Sequence, residues 1–346
     1  MDYGDPEFYI SKQFGWVEFN KRVLEEAQDD KTPLLERLKF LSITASNLDE
    51  FVMVRVARLK DEINSGYKET DKAGLTPKEI FAELSNRIHD LVVAQYQCWH
   101  DIVPKFEAKG IDFAQYEQLN NSQQRYLDDY FNDTIQPVLT PRAIDQSRPF
   151  PVILNKSLNL AVRLKSNEQE DLLPNKEGQN LFSVVRVPAV LPRIVEVPAP
   201  DGQKVFIFLE KVIEEYLDQV FSGYEIEAVN NFRITRNADV DLDEDARNLL
   251  VEMERYVKRR EKGFPVRLEI EDDMDENIKK FLVDALDLSS DDVYEIDGPI
   301  DLSPFFDFRD LEGYQDLRFE PHYPEPAIDF HNQDDIFAAI RKRDRL

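Results

Sequence analysis

The sequence predicts a multidomain α and α+β protein, with an N-terminal antiparallel helical bundle followed by a mixed-sheet α+β domain. Three observations carry this expectation. The first third holds four amphipathic helical patterns in succession, which suits a bundle. After about Asp112 the pattern changes to short β-branched and aromatic runs. Those runs first cluster and then alternate with helical segments, as in a mixed sheet. A chain of 346 residues exceeds one ordinary core, so two domains and a fragment of a third are expected.

The elements follow in order. Trp16, Phe19, Val23 and Ala27 recur at helical spacing. Thr32 then Pro33 reads as a cap and a first-turn proline, and Leu34, Leu38 and Leu41 continue on one face. A third helix is expected from about Asn47 to Asn64, closed by Ser65-Gly66. Its apolar face is Leu48, Val52, Val56, Leu59 and Ile63. Thr76-Pro77-Lys78-Glu79 is a capping box, in which hydroxyl and carboxylate satisfy each other's backbone donors. It opens a long helix through Ile80, Leu84, Ile88 and Leu91 that ends between Pro104 and Gly110.

Strands are predicted over 158–164, 181–187, 193–197, 204–209, 225–235, 266–270 and 293–296. Helices are predicted over 210–220, 243–262 and 275–286. The turn-rich 321–326 marks a second boundary. Asn332 can cap a last helix through Ile336, Phe337 and Ile340, which runs into Arg341-Lys342-Arg343-Asp344-Arg345-Leu346 without glycine or proline. The expected division is a helical domain over 1–110, an α+β domain over 111–322, and the start of a further domain over 323–346. On this reading the chain is the front part of a longer protein.

Lys and Arg total 43 and Asp and Glu 69, a net charge of −26. Such a surface repels nucleic acid, phosphate polymers and anionic membranes at long range. Any anion site must therefore be local, built from a few converging groups. No apolar run approaches the roughly 18 residues of a membrane span. The acidic start, Met1-Asp2-Tyr3-Gly4-Asp5, is not a signal peptide. The single cysteine, Cys98, leaves no intrachain disulfide and no multi-cysteine zinc site. A cytoplasmic protein is the simplest expectation; peripheral membrane association is not readable from the sequence.

One stretch carries candidate binding chemistry. Asn47, Phe51, Arg55 and Arg58 step by four, four and three, so a regular helix places them in one stripe. An amide can donate and accept against a base edge, a ring can stack, and guanidinium forks suit phosphate. The structural alternative is that Asn47 caps the helix, with Glu50 completing a cap-box-like pair. Spacing alone favours the cap.

Other candidates are weaker. Asp239 to Asp245 fails the calcium-loop test, since position six is Glu244 and position twelve Leu250. Asp243 reads as a helix cap there. His89, His100, His322 and His331 lack metal-pair spacing, and Cys98 beside Trp99 reads as core. Arg142 and Arg148 lie in a proline-dense stretch, 140–151, that reads as a rigid interdomain connection.

The words themselves resemble the large polyphosphate kinases, the phosphohistidine-using family. The likeness is carried by Phe14-Gly15-Trp16-Val17-Glu18-Phe19-Asn20-Lys21-Arg22-Val23-Leu24-Glu25-Glu26-Ala27 and by Pro33-Leu34-Leu35-Glu36-Arg37-Leu38-Lys39-Phe40-Leu41. Ser46-Asn47-Leu48-Asp49-Glu50-Phe51, followed by Val54-Arg55, is the most specific match. Thr140-Pro141-Arg142-Ala143-Ile144-Asp145, Pro149-Phe150-Pro151 and Ser157-Leu158-Asn159-Leu160 continue it. So do Phe232-Arg233-Ile234-Thr235-Arg236-Asn237-Ala238-Asp239 and Val266-Arg267-Leu268-Glu269. Gly15 stands where a serine is common and Val52 where an aromatic is common.

The resemblance implies a reversible kinase. It moves the terminal phosphate between ATP and inorganic polyphosphate, with ADP as the nucleotide left or consumed, through a histidine intermediate and with Mg2+. It implies a helical domain, a head domain (here 111–322) used in homodimer or higher-oligomer contacts, and C-terminal catalytic domains. Asn47 then contributes to the base end of the ATP site, and the stripe spacing makes Phe51, Arg55 and Arg58 its candidate neighbours. The catalytic histidine and the Mg2+-binding arginines belong to the catalytic domains. No catalytic or metal role is therefore transferred to this chain, which is expected to be inactive alone. The alternative reading is a non-catalytic dimerisation or interaction scaffold with the same fold.

Overall fold

The computed structural model describes residues 4–144, 150–166, 181–238, 263–324 and 335–342. The helix expected over 243–262, the Asp239 to Asp245 loop, Arg148, His331 and the Asn332 cap lie outside them.

Two antiparallel helices open the chain, α1 (Lys12–Gln28) and α2 (Leu34–Phe51). The second starts one residue later than expected, with Pro33 at the cap position. A π-helical turn, Val52–Val56, joins α2 to α3 (Ala57–Asn64). The long α4 (Pro77–Glu107) begins at the capping box read from Thr76 and Glu79. These helices bury Val17, Leu24, Leu35, Leu38, Leu84 and Leu91 against one another.

The expected break at Asn47 is not there. Asn47 lies inside α2, so it is not a cap. Ile43-Thr44-Ala45-Ser46 contains no helix breaker, and the Thr44 hydroxyl donates back to the Leu41 carbonyl at 2.7 Å. The helix therefore runs through the Asn-x-x-Glu pattern.

Beyond α4 come β1 (Ile111–Phe113), α5 (Asn121–Tyr130), β2 (Arg142–Ile144), β3 (Leu158–Ser166), β4 (Leu181–Arg186), β5 (Ile194–Val197) and β6 (Lys204–Phe208). Short α6 (Leu209–Glu215) and α7 (Leu217–Val220) precede β7 (Tyr224–Arg236) and β8 (Pro265–Glu271). Then follow α8 (Glu276–Leu286), β9 (Val293–Ile296) and α9 (Ile336–Lys342). A six-stranded sheet has the order β2-β4-β3-β7-β8-β9, antiparallel except for β8 and β9, which α8 connects in parallel. A three-stranded sheet has the order β1-β6-β5. Arg142, expected in a connection, begins an edge strand paired with β4.

Alternation along β7 and β8 decides what each face of the large sheet meets. Phe232, Ile234, Leu268 and Ile270 point to α8, where Ile278 and Leu282 cover them. Arg233, Thr235, Arg267 and Glu269 point to the other side, toward α2. Glycine is required where β8 begins, since any Cβ on Gly263 would stand 1.9 Å from the Asn237 carbonyl oxygen.

Candidate functional site

The predicted stripe is the seam between α1 and α2. The helices run antiparallel, so Asn47 meets Asn20, and Phe51 meets Trp16 one turn on. Asn47 Nδ2 donates to Asn20 Oδ1 at 3.1 Å. Asn20 Nδ2 donates in turn to the Thr44 carbonyl at 3.0 Å, and Gln95 Nε2 to Thr44 Oγ1 at 2.9 Å. This chain pins the orientation of the Asn47 amide. Asn47 itself is half-buried, and its Oδ1 has no hydrogen-bond partner among the described residues.

The structure divides the four stripe residues. Phe51 is buried, with its ring stacked on Trp16 at 3.8 Å and 7°. Arg55 and Arg58 are exposed and line a cleft of about 490 Å³ beyond the seam. The π turn starts just after Phe51 and contains Arg55, and its wider turn shifts Arg55 and Arg58 around the helix axis relative to Asn47 and Phe51. It also leaves the Met53 carbonyl free to accept from Ala238 N at 3.0 Å. Asn237 Nδ2 donates to Asp61 Oδ2 at 2.9 Å. The Arg236-Asn237-Ala238 stretch thus docks on the π turn and α3.

The opposite side of α2 holds an ionic cluster that sequence reasoning did not single out. Arg233 reaches Asp49 Oδ1 at 2.9 Å and Glu269 Oε2 at 2.6 Å, and pairs with Asp49 Oδ2 as well. Arg267 reaches Asp49 Oδ1 at 2.5 Å and Thr235 Oγ1 at 3.0 Å. Lys156 Nζ lies 3.7 Å from Asp49, and Asp301 3.5 Å from Arg233. Asp49, Arg233, Arg267 and Glu269 are all buried. Burial alone pushes the Asp49 carboxyl up, but the two guanidiniums outweigh it and hold the group well below the usual range. Three cations face three anions, so the cluster is compensated. A signal was present: charged residues at alternate positions of otherwise apolar strands, Phe232-Arg233-Ile234 and Val266-Arg267-Leu268, demand buried partners.

A second polar group ties α6 to the sheet. Lys211 Nζ bridges Glu214 at 3.0 Å and Glu271 at 2.9 Å. Burial pushes the Glu214 carboxyl up to about 7, against the pull of Lys211.

The remaining candidates are structural. His89 Nε2 meets the Asp291 carbonyl at 3.3 Å, with its ring stacked on Tyr294. His100 Nε2 meets the Asp297 carbonyl at 2.9 Å. His322 is exposed. Cys98 is buried, and burial pushes its thiol up to about 11, away from reactivity. Among the described residues no three His, Cys, Asp or Glu side chains gather to hold a metal ion, and no helix is long and apolar enough to cross a membrane.

Known proteins give this geometry a context. The family model of the polyphosphate kinase N-terminal domain matches residues 9–114, and that of the polyphosphate kinase middle domain matches 122–308. The chain is 44% identical to the polyphosphate kinase of Halalkalibacterium halodurans over 350 residues, covering 99% of this chain and 49% of that protein. It is 40% identical to the polyphosphate kinase of Bacillus cereus over 352 residues, covering 100% and 50%. A crystal structure of polyphosphate kinase from Porphyromonas gingivalis superposes with a TM-score of 0.75 at 25% identity, over 95% of this chain and 45% of that one. The chain spans about half the length of the curated relatives it matches.

Proposed function

We propose a role that starts from one premise: the chain belongs to the polyphosphate kinase family. In this reading it is the non-catalytic front of an enzyme that reversibly transfers the terminal phosphate of ATP to inorganic polyphosphate through a phosphohistidine. Asn47 contributes to the base end of the ATP site, and residues 111–322 contribute to a homodimer or higher oligomer in the cytoplasm. The segment 323–346 begins the catalytic part, which carries the reactive histidine. Mg2+ supplies charge neutralisation of the phosphates in such transfers. In this reading its ligands belong to the catalytic part.

The observation that carries the Asn47 reading is its unspent hydrogen-bonding capacity. One Nδ2 hydrogen is used on Asn20, which fixes the amide plane. The second hydrogen and Oδ1 remain for a ligand. A donor beside an acceptor matches the edge of a purine, which offers a ring nitrogen next to an exocyclic group. Nothing here moves a proton; the residue binds and orients.

Replacing Asn47 by Ala in the complete enzyme tests this. Removing a base contact of about 1–3 kcal/mol raises the apparent KM for ATP roughly 5- to 150-fold. An unchanged KM removes Asn47 from the site.

A further inference from the structure

The cleft beside Arg55 and Arg58 has a charge character opposite to that of the whole chain. It lies between the 3-10 turn Pro6–Phe8 with the residues after it, the start of α1, the π turn and α3, and the segment leading to α4. Its floor is apolar, formed by buried Leu59 and Ile80 and half-buried Leu75. Tyr9, Ile10 and Tyr67 stand at its rim with large exposed surfaces.

Four cations line it, Lys12, Arg55, Arg58 and Lys72, against three acids, Glu62, Glu69 and Asp71. Each acid is engaged. Glu62 pairs with Arg58 at 3.2 Å, and Glu69 accepts from the Tyr67 hydroxyl at 2.8 Å. Asp71 Oδ1 accepts from the backbone of Ala73 and Leu75 at 2.9 and 3.2 Å. Of the cations only Arg58 has a partner among the described residues. Lys12, Arg55 and Lys72 are exposed, face one space, and have none. In a chain at −26, three uncommitted cations converging over an apolar floor are the local anion site that the overall charge still permits.

We infer that this cleft binds a phosphoanhydride chain, with Lys12, Arg55 and Lys72 as its phosphate contacts. A flexible polyanion suits lysines and an arginine spaced around a cleft, since each phosphate carries its own charge and needs no shared plane. The π turn places Arg55 there. The choice of phosphoanhydride over another anion rests on the polyphosphate-kinase reading, whereas the charge argument does not. Inorganic polyphosphate and the tail of a nucleoside triphosphate share this chemistry.

The test is calorimetric titration of this chain with inorganic polyphosphate. Binding is expected, weakening steeply with salt. The double variant K12E/K72E is expected to lose at least about tenfold in affinity. K109E, a charge reversal on an exposed lysine just past the far end of α4, about 40 Å along the helix from the cleft, should change it less than about twofold. Should K12E/K72E fail to fold, K12Q/K72Q must still lose affinity. Competition with ATP and with tripolyphosphate identifies the source: equal displacement assigns the anhydride alone, stronger displacement by ATP the nucleotide. No binding by the unmodified chain, or an equal loss in K109E, overturns the inference. This is separable from the Asn47 test, which reads KM for ATP and can fail alone.

Discussion

Asn47 and Asp49 are two residues apart on one helix and live under opposite rules. Asp49 faces the sheet, is buried, and has its carboxylate held by two guanidiniums with a lysine beside them. Asn47 faces α1, is half-buried, and spends one hydrogen bond on Asn20. A saturated polar group has nothing left to offer a ligand. A group oriented by one bond and otherwise unspent is poised for one. The difference separates a residue that holds the molecule together from one free to act, though both sit in the same six-residue motif.

Four experiments can break or sharpen that contrast. Asp49→Ala leaves Arg233 and Arg267 buried with part of their counter-charge gone. It should cost about 3–5 kcal/mol in denaturant unfolding. A loss under about 1 kcal/mol would show that the cluster is not saturated in this sense.

The Lys211–Glu214–Glu271 group stands between the extremes, because one lysine serves two carboxylates. Glu214 titrates near 7 in the fold against 4.5 for the ordinary group. Its protonated form is the favoured one, so its contribution is fully present below about pH 4.5. It is lost as pH rises to about 7, by up to about 3 kcal/mol. Melting temperatures across pH 5 to 8 should fall less steeply in Glu214→Gln than in the unmodified chain.

Asn47→Ala should cost this chain less than about 1 kcal/mol, since only one partly exposed bond is lost. Paired with an increased KM in the complete enzyme, that result separates ligand binding from folding. Arg58→Ala breaks an exposed pair with Glu62 and should change stability by no more than about 0.5 kcal/mol.

Much of the fold was legible because it is local. The capping box at Thr76 and the strands from Leu158 onward are written in adjacent residues. β1 and β2 were not, being three residues each, too short to alternate. The helix break at Asn47 was misread because Asn-x-x-Glu also occurs inside helices, where nothing interrupts the backbone ladder. The ionic cluster was illegible as a site because its partners are distant: Asp49 is 184 residues from Arg233 and 218 from Arg267. The family resemblance quoted both strands and the helix, yet no local rule says that they meet.

The π turn between α2 and α3 acts as a phase shifter. Each residue of an α-helix advances about 100°. Deleting one residue from Val52–Val56 would rotate α3 by about that angle relative to α2. Arg55 and Arg58 would swing from the cleft, Asp61 from Asn237, and the Met53 carbonyl from Ala238. The seam upstream, with Asn47 on Asn20, would be untouched. Length in this stretch is thus as constrained as composition, and tolerance of insertions and deletions should drop sharply at these five residues.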